Sequence, residues 1–185
     1  MEATKLKTPL TREQTAKLEA GQSCLLSGTI YTARDAAHKR LVELLDNGQS
    51  LPVDLAGQVI YYVGPCPAPP GKVIGSAGPT TSMRMDSYTP AILKAGVRAV
   101  IGKGDRGPEV VEALKEQGAV YLGAIGGAGA LIARHIRKAE VVAFPDLGPE
   151  AIHRLEVEDL PVIVLIDSAG NNFYRIGRNN FTSRQ

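Results

Sequence analysis

The chain has 185 residues, 44% hydrophobic and 22% charged, which is enough apolar mass for a single domain with a real core. Lysine and arginine total 21 against 19 aspartates and glutamates, a formal net charge of +2. That balance argues against a general nucleic-acid or polybasic membrane surface, both of which need a clustered basic excess. Apolar runs such as Val162 to Ile166 are too short to span a bilayer. The start Met1-Glu2-Ala3-Thr4 lacks the basic-then-apolar plan of a signal peptide, so a cytoplasmic location is expected.

In chain order, Thr11 with Gln14 three residues on predicts a capping box and a helix that stops by Gly21. Cys24 to Tyr31 reads as a buried strand, and Ala33 to Leu45 as a helix with Leu41, Leu44 and Leu45 on one stripe. Gln58 to Val63 is a second strand. From Gly64 to Pro79 five prolines and four glycines fall within sixteen residues, which excludes a regular helix and predicts a stiff, positioning loop. A helix is expected from Thr80 or Thr81 to about Lys94. Alternation then continues through Val97–Ile101, Pro108–Gln117, Ala119–Ile125, Ala128–Arg137 and Val141–Phe144. Ile152–Val157 and Val162–Ile166 are strand-like, with a hairpin turn at Asp167–Asn171 leading into a further strand, Asn172–Ile176. No internal repeat interrupts this order, and one mixed α/β domain over residues 1–185 is expected.

Three strand ends carry chemistry. Arg34 stands at a strand-to-helix junction, where open α/β sheets bind ligands; locally, Arg34 or Asp35 would also serve as a helix cap, with His38 and Lys39 on a solvated face. Thr80, Thr81 and Arg84 open the next expected helix, where unpaired N–H groups attract an anion and hydroxyls share a face with the guanidinium; a plain threonine cap is the simpler alternative. Lys103 lies between Gly102 and Gly104, glycines that would let a ligand approach the backbone, with Asp105 placed to orient the lysine or cap the following helix. Gly126-Gly127-Ala128-Gly129 is only a partial dinucleotide fingerprint, with Asp146 at a tolerable distance; close helix–strand packing, or a glycine-lined wall of another ligand's site, accounts for it better. Several cations with hydroxyls suit a small polyanion such as a dicarboxylate. Two cysteines 42 positions apart and three scattered histidines supply no metal-ligand spacing, and no nucleophile–base pair stands out. The chain thus reads as half of an active site.

These segments resemble the β-type subunit, or C-terminal domain, of the iron–sulfur hydro-lyases, class I fumarate hydratase and L(+)-tartrate dehydratase. The resemblance rests on Ser27-Gly28-Thr29, on Thr32 through Arg40, on Tyr62-Val63-Gly64-Pro65-Cys66-Pro67, on Gly75 through Met85, and on Ile101-Gly102-Lys103-Gly104. It implies a three-layer β/β/α swivelling domain and a separate α subunit whose three cysteines hold a [4Fe–4S] cluster. Cys66 would then be structural and this chain would hold no metal. It further implies reversible hydration of fumarate to L-malate by a hetero-oligomer. Arg34, Thr81, Arg84 and Lys103 would form the substrate-carboxylate clamp, and Thr80 would take part in proton transfer. A tartrate dehydratase β subunit shares that clamp, and a stand-alone anion- or nucleotide-binding module is the alternative from another class.

Overall fold

The computed structural model describes residues 3–124 and 128–182. Seven strands form one mixed sheet: β1 (Thr4–Lys7), β2 (Ser23–Thr32), β3 (Val59–Tyr61), β4 (Ala99–Gly102), β5 (Val120–Gly123), β6 (Ile136–Ala143) and β7 (Ile152–Ile166), in the order β1-β2-β3-β4-β5-β7-β6. β2, β3, β4 and β5 run parallel, while β7 is antiparallel to β5, to β6 and to β2. One edge of β2 therefore meets β7 and the other meets β1 and then β3, so the pairings close on themselves through β2, β3, β4, β5 and β7.

Alternation along the short strands explains why their sequences are apolar throughout. Val59, Tyr61, Ala99, Ile101, Val120 and Leu122 join Leu26, Ile30, Leu155 and Val164 in a core between strand faces. Ile60, Tyr62, Val100 and Tyr121 face the other way, into a second core with the helices α2 (Asp35–Asp46), α3 (Thr89–Lys94) and α4 (Pro108–Gln117). The remaining helices are α1 (Arg12–Thr15), α5 (Gly129–Ala133) and α6 (Phe173–Thr182).

The capping box at Thr11 and Gln14 forms, and α4 has the expected bounds. The helix expected from Thr80 to Lys94 does not. A four-residue 3-10 turn, Ser82–Met85, is followed by a fresh start at α3, whose second position is Pro90. Proline has no N–H to continue a helical ladder from the turn before it. The two strands expected between Ile152 and Ile166 are one, because a register shift against β2 and a left-handed Asp159 (φ 48°) absorb the break. The strand expected at Asn172–Ile176 is helix α6, started by Asn172 Oδ1, which accepts the Tyr174 N–H at 3.0 Å. Residues Ile136 and Arg137 belong to β6, and β1, a polar run of four, has no clear periodicity. No described helix is long and apolar enough to cross a membrane.

Candidate active site

Because β2, β3 and β4 are adjacent and parallel, the residues that follow them emerge at one edge of the sheet. Arg34 follows β2 as the residue heading α2. Its carbonyl oxygen accepts both the backbone N–H and the Nδ1–H of His38, each at 2.8 Å, and its side chain is 23% exposed. The guanidinium lies 3.5 Å from Glu150 and 3.9 Å from Asp35, and its Nε has no hydrogen-bond partner among the described residues. A Cβ on Gly64, just past β3, would come within 2.9 Å of Arg34 Nη1, so a side chain there would push the guanidinium from its place. Neither candidate side chain caps α2; Glu150 accepts the Ala36 N–H at 3.0 Å instead.

The proline loop returns the chain to the same edge. Cys66 and Gly75 are cross-linked through backbone bonds (Cys66 N–H to Ser76 O, 2.9 Å; Gly75 N–H to Cys66 O, 3.1 Å), and Tyr61 Oη donates to Ala77 O at 2.5 Å. Thr80 N–H then reaches Tyr62 O at 2.7 Å. Thr80 and Thr81 lie outside any helix, and Thr81 (φ −58°, ψ 121°) pairs in parallel fashion with Lys103. The helix N-terminus expected to seat an anion is therefore absent, and cationic side chains take its place. Arg84 donates from Nε to Asp35 Oδ1 at 3.0 Å and is 53% exposed, leaving both terminal nitrogens without a partner among the described residues. Lys103 is exposed, and no described carboxylate pairs with it.

Asp35 thus stands between two arginines, and its charge lowers the cost of holding them side by side. Asp35 hydrogen-bonds Arg84 through Oδ1 and faces Arg34 with Oδ2 at 3.9 Å, a charge contact without a hydrogen bond, while Thr81 and Lys103 are joined by backbone pairing. Asp105 does not cap α4, and its Oδ1 is taken by groups other than Lys103: that oxygen accepts from Arg106 N and from Asn172 Nδ2, each at 2.9 Å.

Several glycines and neighbours serve other ends than those expected. A Cβ on Gly102 would collide with Ser82 Oγ, so this glycine makes room for a serine of the same protein rather than for a ligand. His38 is buried, packed edge-on against Tyr62 with ring centroids 5.2 Å apart, and not on a solvated face; burial pushes its pKa down to about 4. Asp146 is paired with Arg40 Nη1 at 2.9 Å, which removes it as a ribose ligand. Gly126 and Gly127 lie outside the described residues, and Gly129 packs on the proline loop, its carbonyl accepting the Ala77 N–H at 3.2 Å.

Beneath the edge lies a buried layer that sequence reasoning missed. Arg106, with its side chain fully buried, donates to Asp86 Oδ1 and to Thr89 Oγ1, each at 2.7 Å, and sits over the rings of Tyr62 and Tyr121. Gly107 N–H takes the other Asp86 oxygen at 2.7 Å. Asp86, twenty positions before Arg106, gave no local hint of this pairing.

The described residues do not make a site for an iron–sulfur cluster. Cys24 is in the core with its thiol pushed up to about 11 by burial, Cys66 is on the exposed loop, and no group of three or more His, Cys, Asp or Glu among the described residues is disposed to hold a metal ion.

The fold and this edge define a class: a mixed α/β domain with an open, cation-bearing border at the ends of its parallel strands. The chain belongs to the family described as Fumarase C-terminus, whose model matches residues 1–177. It is 41% identical over 173 residues to fumarate hydratase 2 of Leishmania major, covering 91% of this chain and 30% of that protein. It is 45% identical over 152 residues to the aerobic class I fumarate hydratase of Escherichia coli K12, covering 81% of this chain and 28% of that protein. A Methanocaldococcus jannaschii protein, provisionally named L(+)-tartrate dehydratase subunit beta, is 40% identical over 171 residues, and here the match covers 89% of this chain and 88% of that protein. The chain thus spans less than a third of the fumarate hydratases it matches.

Proposed function

We propose that this chain is the β-type half of an iron–sulfur hydro-lyase that reversibly hydrates fumarate to L-malate, a cytoplasmic enzyme completed by an α-type subunit. The observation that carries the reading is the convergence at one sheet edge of Arg34, Thr81, Arg84 and Lys103, tied together by Asp35 and by the Thr81–Lys103 pairing. Two cores, one between strand faces and one between strands and helices, support the three-layer β/β/α form of the swivelling domain.

Arg34, Arg84 and Lys103 with the Thr81 hydroxyl grip the two substrate carboxylates; the terminal nitrogens of Arg84 suit one carboxylate in a bidentate pair. In the dehydration direction, proton loss beside a carboxylate drives negative charge into that carboxylate. Cations held in place before the charge develops lower the barrier. Thr80, half-buried next to the strand end, moves the proton, and its activating partner belongs to the other subunit, since an unassisted hydroxyl is a weak base. The [4Fe–4S] cluster is likewise assigned to the α-type subunit, because the two cysteines here do not form a ligand set.

The match over 88% of a tartrate dehydratase β subunit supports a second reading, tartrate as the substrate of the same clamp. The test is reconstitution. The lone chain is expected to turn over neither diacid, and addition of an α-type partner with an anaerobically rebuilt cluster is expected to give turnover of one of them. Turnover by the lone chain overturns the half-site reading.

A further inference from the structure

Two segments of the proposed clamp meet at one buried atom, Ser82 Oγ. Ser82 is fully buried on the turn that carries Arg84. Its oxygen accepts the Lys103 backbone N–H at 3.1 Å, and its own N–H donates to Lys103 O at 2.9 Å, so the serine grips both sides of the Lys103 peptide unit. Tyr121 Oη lies 2.9 Å from Ser82 Oγ and 2.9 Å from Gly104 O. A chain of hydrogen bonds therefore runs from Gly104 through the tyrosine and serine hydroxyls to Lys103. Arg106 lies over the Tyr121 ring at 5.0 Å and holds Asp86, the residue that ends the Ser82–Met85 turn.

The fit is specific in size. Gly102 has no Cβ where Ser82 Oγ sits, so alanine at position 82 fits without strain but loses the oxygen, and a larger residue collides with β4. None of these contacts is needed to form the sheet, whose β4 pairings run from Ala99 to Gly102 and stop short of Lys103. The hydroxyl adds a second tie to the backbone pairing that holds Lys103 beside Thr81 and the Arg84 turn.

We propose that Ser82 is a positioning residue for substrate binding, its buried hydroxyl setting the spacing between the Lys103 and Arg84 cations; this rests on the clamp reading given above. Ser82 does not touch substrate. Removing it leaves the Lys103 N–H without its acceptor, keeps only the Ser82 N–H to Lys103 O bond, and so loosens one grip relative to the other. A drift of the grips weakens ground-state binding more than it slows the chemistry.

The experiment uses the complete two-subunit enzyme. Ser82→Ala is expected to raise KM for the diacid about tenfold, the equivalent of losing roughly 1.4 kcal/mol. kcat is expected to change less than about threefold, and the Lys103 amide to exchange at least about tenfold faster with deuterium. Tyr121→Phe, which leaves the Ser82–Lys103 bond in place, should raise KM by a smaller factor. The double variant Gly102→Ala/Ser82→Ala refills the vacated space with a methyl group without restoring the acceptor, so its KM should stay high. An unchanged KM in Ser82→Ala, or a KM restored by the double variant, overturns the inference and leaves the clamp reading standing. A wild-type complex that turns over no diacid overturns the clamp reading and this inference with it.

Discussion

Arg84 and Arg106 carry the same guanidinium and sit in adjacent layers of one site, yet they spend it in opposite ways. Arg106 is fully buried, with Asp86 and Thr89 taking Nε and Nη2, and Nη1 enclosed without a hydrogen-bond partner beside the two flanking aromatic rings. Arg84 is half exposed and commits only Nε, to Asp35. A buried pair needs its hydrogen bonds inside the protein, whereas a grip for a ligand must keep donors in reserve. Free donors that face solvent therefore mark a cation as available to a ligand, whereas an unpaired nitrogen sealed in the core, as on Arg106, does not. Arg34 falls between them, partly paired with Glu150 and Asp35 and with its side chain 23% exposed.

This contrast can be broken most directly at Arg106. Arg106→Met should destabilise the fold by about 3–5 kcal/mol, because Asp86 is left buried without its cation. That corresponds to a fall in Tm of roughly 10 °C for a chain of this size, measured by thermal unfolding. A loss of less than about 3 °C would mean that the buried layer is not a framework.

His38 sharpens the comparison from the buried side. Its folded pKa, about 4, lies below the ordinary value of 6.5, chiefly through burial and further through the nearby Arg106 charge. The unfolded chain therefore binds the proton more readily than the native one. The stability that depends on a neutral His38 is fully present above pH 6.5 and is lost as pH falls from 6.5 to about 4, by roughly 3 kcal/mol. Chemical denaturation across that range should show the loss, and His38→Gln should flatten it. An equal acid limb in the variant would assign the loss to other groups.

At the exposed layer the effect should fall on activity and spare stability. Arg84→Ala is expected to lower kcat/KM of the reconstituted enzyme at least about 100-fold, the equivalent of just under 3 kcal/mol. Its Tm should stay within a few degrees of wild type, since an exposed ion pair contributes about 1 kcal/mol or less. A change in kcat/KM below about threefold removes Arg84 from the clamp.

The glycine and proline positions were the most legible part of the site, although their reasons were only partly so. The stiff loop from Gly64 to Pro79 returns the chain to the sheet edge, as its composition suggests. The glycines on either side of Lys103 read equally well as room for a ligand, and only the folded chain shows Ser82 in the space beside Gly102. His38 looked solvated because its neighbours Lys39 and Arg40 are polar; the face it occupies is set by the packing of α2 on Tyr62. Glu150 and Asp86 reach their arginines across 116 and 20 positions, beyond any periodicity.

By itself the sequence determined the alternation of strands and helices, the capped start of α1, the bounds of α4, and the segments that supply Arg34, Thr80, Thr81, Arg84 and Lys103, because hydrophobic period, caps and turn residues act over a few positions. Tertiary structure alone decided that three of those segments share one edge, that Asp35 links two arginines, and that Ser82 ties the remaining cation to them. Those outcomes follow from parallel pairing among β2, β3 and β4 and from hydrogen bonds between residues far apart in the chain, which leave no trace in local composition.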